Sequence, residues 1–224
     1  LDGVTTVGSG ILSSLTENGN TGVRLSTSNT SNHGDIGSNA VDLSYSSSSS
    51  STRGATGSIA VAIGSATTAS GNYSTAMGYY TTASGNWSTA MGYSTSASGS
   101  RSTAMGWNTT ASGNYSTAMG VGTSASGYAS TAMGYYTTAS DYGSLVIGLY
   151  NSSGSSVTNN ATSFSTSNTA FVIGNGADSS NKSDAFKVMF NGDTTVSNDL
   201  TVSGDVVISS DARLKSNIVS LGST

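Results

Sequence analysis

Ser74-Thr75-Ala76-Met77-Gly78-Tyr79-Tyr80-Thr81-Thr82-Ala83-Ser84-Gly85 is the stretch from which the fold is read. Its first half returns at intervals of fourteen residues as Ile63-Gly64, Met77-Gly78, Met91-Gly92, Met105-Gly106, Met119-Gly120, Met133-Gly134 and Ile147-Gly148. Its second half keeps the same interval as Ala69-Ser70-Gly71, Ala83-Ser84-Gly85, Ala97-Ser98-Gly99, Ala111-Ser112-Gly113 and Ala125-Ser126-Gly127, and closes with Ala139-Ser140-Asp141. A fixed short period of this kind marks a solenoid, in which each unit rests on its neighbours. With two strand-and-turn signals per unit, the segment 54–150 reads as a β-solenoid.

Ser/Thr/Gly-rich sequence is often disordered. Disorder, however, does not require Met, Ala and Gly to stay in register through consecutive units. The outer units differ as end units should, reading Ala60-Val61-Ala62-Ile63-Gly64 and Ser144-Leu145-Val146-Ile147-Gly148 where the inner ones read Ser-Thr-Ala-Met-Gly. Side chains alternate between the two faces of a strand, so Thr75 and Met77 share one face and Ser74, Ala76 and Gly78 share the other. The most apolar residues define the expected interior: Val61, Ile63, Met77, Met91, Met105, Met119, Met133, Leu145 and Ile147. The small-residue face, carrying Ala90, Ala104, Ala118 and Ala132, is then expected to meet another subunit. A coil this thin buries little apolar surface against the entropy of ordering its backbone, which points to an oligomer.

Composition suits a fibre better than an enzyme. The 224 residues hold 29 Gly, no Pro, no Cys and 8% charged residues, with a net charge of −4. Between 54 and 140 the only charged residue is Arg101, so nucleic-acid binding is not indicated. No apolar run approaches the length of a membrane span. Without cysteine there is no disulfide framework and no thiolate metal site. The single histidine, His33, argues against a Ser-His-Asp triad or a histidine zinc cluster and reads most simply as a loop residue. No phosphate loop and no catalytically spaced carboxylate pair is present, so no cofactor is expected. A chain that begins at Leu1 with no signal peptide reads as a processed product or a fragment.

At the level of family, the motif Ser-x-Ala-hydrophobic-Gly-x-x-(Ser/Thr)-x-Ala-x-Gly resembles the head domains of trimeric autotransporter adhesins of the Yersinia adhesin type. The resemblance covers about 58–150. It implies an all-β, left-handed parallel β-roll, a homotrimer, an extracellular location and a surface that adheres to a glycan or protein receptor.

Tyr73, Trp87, Trp107, Tyr115 and Tyr128 occupy variable loop positions and are the candidate binding residues, by stacking; the alternative is that they cover turns and subunit seams. Asn72-Tyr73-Ser74 and Asn86-Trp87-Ser88 match the glycosylation acceptor but read as turn residues.

Beyond 150, a connector is expected over 151–168, followed by Ala170-Phe171-Val172-Ile173-Gly174, which repeats the strand motif. Asp193, Asp199, Asp205 and Asp211 then recur six apart between short strand-like runs. We read 169–210 as a trimeric β-prism shaft, with calcium on the aspartates as the weaker alternative. Ser210-Asp211-Ala212-Arg213-Leu214-Lys215 resembles the junction at which the intramolecular chaperone of phage tailspikes and tail fibres begins. That resemblance implies self-cleavage with Ser210 as nucleophile and Lys215 as its helper, and a chaperone-like segment or tail over 211–224. Only fourteen residues follow Ser210, so the chaperone body is missing from this chain. The segment 1–53 reads as β-rich, with Ser46–Ser51 as a linker.

The reading is therefore a homotrimeric β-fibre, either an adhesin or a receptor-binding tail fibre on a bacterial surface or phage virion. The alternatives are a Thr-rich ice-binding solenoid, for which Thr81-Thr82, Thr109-Thr110 and Thr137-Thr138 are suggestive, and a subunit of an extracellular filament.

Overall fold

The computed structural model describes residues 11–152 and 161–203. Each fourteen-residue unit makes one coil, with a long strand such as Thr75–Tyr79, a turn at Tyr80 and a short strand such as Thr82–Ala83. The long strands stack in parallel without a register slip, Thr75 on Thr89 and Met77 on Met91, through Thr131 on Leu145 and Met133 on Ile147. The short strands Gly54–Ala55 through Thr138–Ala139 form a second, seven-stranded sheet, also parallel in its steps. The β-solenoid expected from the period is thus present, and no α-helix occurs among the described residues.

The interior is the reverse of the one expected. The column Ala62, Ala76, Ala90, Ala104, Ala118 and Ala132 is fully enclosed, as is the opposing column Ala55, Ala69, Ala83, Ala97, Ala111 and Ala125. Ser74 and Thr81, with their counterparts in the other coils, complete the lining. Met77 is 37% exposed and Leu145 39%, while Met91, Met105, Val61, Ile63 and Ile147 are only half-buried. Met119 and Met133 are exposed. The residues assigned to the core therefore face outward, and the small residues assigned to a subunit contact form the core. The reason is width. Two short sheets closed by tight turns leave a lumen that Ala, Ser and Thr fill to native density, and a methionine does not fit there.

Two glycine columns set how closely the coils approach. A Cβ on Gly106, whose φ is +122°, would lie 2.0 Å from the carbonyl oxygen of Gly120 in the next coil. On the other edge, a Cβ on Gly99 would lie 2.0 Å from the oxygen of Gly113. The second column ends at Asp141, whose carbonyl still crowds Gly127. Among the described residues no further short strand follows the coil of Asp141.

Side chains and strands from outside the regular repeat finish both ends of the roll. At the C-terminal end the Asp141 carboxylate accepts the Thr169 backbone N–H at 2.7 Å. The Asn151 side-chain amide accepts from Thr138 N–H at 2.7 Å and donates to Thr138 C=O at 3.0 Å, as a neighbouring strand's backbone would. Val146 and Val172 occupy the alanine slot in the two last parallel strands.

Thr169–Asn175 does not open a separate prism. It pairs in parallel with Leu145–Leu149, Gly148 on Gly174, and continues the long sheet. Asp184–Met189 and Thr194–Val196 then fold back antiparallel. The shaft boundary at 169 is corrected accordingly, because the Phe171-Val172-Ile173-Gly174 run carries the coil's own strand signature. The end of the expected shaft, 204–210, lies outside the described residues.

At the N-terminal end Val41–Tyr45 and Asn20–Leu25 extend the sheet in parallel, and Leu12–Glu17 closes it antiparallel. The segment 46–51 packs back on the coil, with Arg53 Nη1 donating to Ser46 and Ser48 hydroxyls at 2.8 and 2.7 Å.

Candidate functional site

Three features distinguish this surface from an ordinary solenoid flank: an outward apolar sheet face, two rows of aromatics along its margins, and a buried ionic cluster beneath its N-terminal coil.

The apolar face follows from the alternation just described. Each long strand presents Thr, Met and an aromatic or aliphatic residue outward, as in Thr75, Met77 and Tyr79, or Thr103, Met105 and Trp107. Strict register turns these positions into continuous columns. Among the described residues no other element packs over them, which leaves a regular, partly exposed apolar face.

The first aromatic row runs along the turn before the long strands. Tyr73 and Trp87 stack with centroids 5.5 Å apart and planes parallel. Arg101 follows in the same slot, its guanidinium 4.5 Å from the Trp87 ring centre and 5.3 Å from that of Tyr115. Tyr115 continues to Tyr128 at 5.2 Å, Tyr128 to Tyr142 at 5.1 Å, then to Phe164 and Phe190. The second row, at the far end of the long strands, joins Tyr79 to Tyr93 at 5.3 Å and Tyr93 to Trp107 at 6.4 Å. Tyr136 stacks on Tyr150 further along. A hydrogen bond with Tyr80 is the leading cause that raises the Tyr79 phenol above its ordinary value.

The structure therefore brings Tyr73, Trp87, Tyr115 and Tyr128 into one row and places Trp107 in the other. Among the described residues, Trp87, Tyr115 and Tyr128 each have a neighbour on both sides along the row, whereas Tyr73 and Trp107 each meet one ring. The slots of Tyr73, Trp87, Arg101 and Tyr115 have φ between +56° and +61°, a conformation in which Gly or Asn is least strained. Turn geometry does not call for large side chains there; the stack does.

The buried cluster escaped sequence reasoning. Asp42 takes the interior slot held by Ala62 in the next coil, and Arg24 takes the same slot one strand earlier. Arg24 Nε donates to Asp42 at 3.0 Å, Nη1 to Glu17 at 3.1 Å and Nη2 to the Gly34 carbonyl at 2.8 Å. His33, expected to be a plain loop residue, is buried with Nδ1 3.1 Å from Asp42. Burial alone would raise the Asp42 pKa, but hydrogen bonds from His33 and Ser44 and the charge of His33 outweigh it and hold the carboxyl below 3.8. The sequence signal was faint, consisting of a charged residue at a strand position flanked by Val41 and Leu43.

Other candidates resolve more simply. The acceptor asparagines are turn residues: Asn72 accepts the Ser58 N–H at 3.0 Å and Asn86 that of Asn72 at 3.0 Å, while Ser74 and Ser88 point into the coil. Thr81, Thr109 and Thr137 are buried, so the paired outward threonines of an ice-binding face are not presented. Asp193 accepts from the Asn191 side chain at 2.7 Å within a turn, and no cluster of three metal-binding side chains occurs among the described residues. Ser210 and Lys215 lie outside the described residues. No helix among the described residues is long and apolar enough to cross a membrane.

Comparison with known families gives one match: the YadA head domain repeat (2 copies) matches residues 55–81, 83–109, 97–123, 111–137 and 125–151 in overlapping windows. The solenoid segment is thus similar to the adhesin-type head repeat from its first regular coil to its last. No curated protein matches the chain.

Proposed function

We propose that this chain is the head of an extracellular homotrimeric fibre that adheres to a surface receptor, with three solenoids packed through their outward Thr and Met columns. The single observation that carries this is the position of Met77, Met91, Met105, Met119 and Met133, held in register on an uncovered sheet face while the coil interior is already filled by alanine. The similarity of 55–151 to the YadA head repeat supports the same reading. The residues that present the adhesive surface are then Tyr73, Trp87, Tyr115 and Tyr128 in one row and Trp107 in the other. Light scattering on the intact chain tests the assembly. A mass near three times 22.2 kDa is expected, and a folded monomer at micromolar concentration would remove the reading.

The tail-fibre variant adds a conditional step. In a chain carrying a chaperone-like segment past Thr224, Ser210 acts as nucleophile with Lys215 as its helper and the fibre is released after Ser210. A longer chain that stays uncut by intact mass, identically with and without Ser210→Ala, excludes that step.

A further inference from the structure

Arg101 is the one charged side chain between residues 54 and 140. It occupies the turn slot that holds Trp87 in the coil before and Tyr115 in the coil after. Its guanidinium carbon lies 4.5 Å from the centre of the Trp87 ring and 5.3 Å from that of the Tyr115 ring. Nη1 donates to the Tyr115 hydroxyl at 3.2 Å. Among the described residues no carboxylate forms an ion pair with it.

These contacts define what the group can still do. Two rings attract the cation and the Tyr115 hydroxyl holds Nη1, so part of the side chain's rotamer entropy is lost before any ligand arrives. Arg101 is exposed, and a guanidinium carries further N–H donors in a planar fork that matches the two oxygens of a carboxylate or sulfate. Elsewhere in the row the rings meet one another at parallel or tilted angles, and Arg101 is the one charged group set among them. Exposed Asn86 and Asn114 and half-exposed Ser100 flank the position. They make a shallow, polar, otherwise uncharged surface suited to an extended chain of hydroxyl-bearing units.

We infer that Arg101, framed by Trp87 and Tyr115, binds the oxyanion of an acidic glycan lying along the first aromatic row. The site is complete within one chain, so it stands whether or not three chains associate; as the adhesive contact of a fibre it rests on the function proposed above. Carboxylate and sulfate share the recognition chemistry, and the choice between them is left to the probes.

The test uses the full chain, with binding followed by isothermal titration calorimetry. It is titrated at low salt with oligogalacturonate, dextran sulfate, uncharged dextran and poly-glutamate, and the solution mass of the same sample is recorded. A saturable change with at least one of the two acidic glycans is expected, weakened by added salt and reduced about tenfold or more by Arg101→Gln. Arg101→Lys should recover little of it, because an ammonium does not reproduce the planar fork. The better of the two glycans identifies the oxyanion. Equal binding of uncharged dextran, no saturable response to either acidic glycan, or unchanged affinity in an Arg101→Gln chain with the parent's unfolding midpoint overturns the inference. Tighter binding of poly-glutamate than of both glycans overturns the glycan assignment. A monomeric mass with glycan binding intact removes the trimer and leaves the site standing.

Discussion

At Asp42 a carboxylate stands where every regular coil has a small apolar or hydroxyl-bearing residue, and it is kept there by Arg24, His33 and Ser44. Its folded pKa lies below the ordinary 3.8, so the sign is that of a paired acid. The stabilisation is fully present above about pH 4 and is lost as pH falls through the depressed folded value. Asp42→Asn should flatten this acid limb. It should also cost about 3 kcal/mol or more at neutral pH, because Arg24 stays buried without its main counter-charge. Urea unfolding of both chains at pH 3 and pH 7 gives the comparison, and equal midpoints at pH 7 would show that the cluster contributes nothing. The cluster was not legible in the sequence because a charged residue within a strand declares its burial only once its register is known. Here Asp42 pairs with Ala62, twenty positions on, outside the fourteen-residue period.

The coil as an element was legible almost entirely, and one of its properties was read backwards. Period, strand positions and turn glycines follow directly from the recurrence of Met77-Gly78 and Ala83-Ser84-Gly85. Alternation separates two faces but does not say which lies inside; that is decided by lumen width, which no single strand encodes. Taking Met77 for core was the natural reading of hydrophobicity, and alanine at 0% exposure in every regular coil corrects it. The C-terminal strand Thr169–Asn175 was recognised as the coil motif and yet assigned to a shaft, since the long excursion before it hid its pairing with Leu145–Leu149. Because each coil contacts mainly its neighbours, removal of a whole unit should be tolerated. Deletion of 93–106 leaves Gly92 followed by Trp107, preserving every slot, and should shift the melting temperature by only a few degrees. Deletion of 93–99 should prevent cooperative folding, because it places turn residues in the long strand. Circular dichroism melts of the two distinguish these outcomes.

For the whole molecule, the decisive quantity is how many apolar columns remain uncovered. A chain whose own core is alanine, serine and threonine gains little from burial within each coil, whereas the Met face is available for association. Met105→Asp places a charge at the middle of that face without touching the interior. It should cost about 2 kcal/mol or more per buried carboxylate in the assembly and shift the light-scattering mass toward 22.2 kDa, with the β-sheet dichroism retained. A trimeric mass for this variant would place the interface elsewhere on the roll.

The glycine columns have a further consequence. With Gly106 and Gly99 each abutting the next coil's carbonyl, the rise per unit cannot relax, and every added repeat lengthens the rod by the same step of about 4.8 Å. The near-identical units between 68 and 140 are also the kind of tract in which unequal crossing-over inserts or removes whole copies. Reach would then vary among descendants of this gene in discrete increments, like notches on a ruler. Selection on how far the tip stands from its base would act on copy number and leave the individual coil untouched.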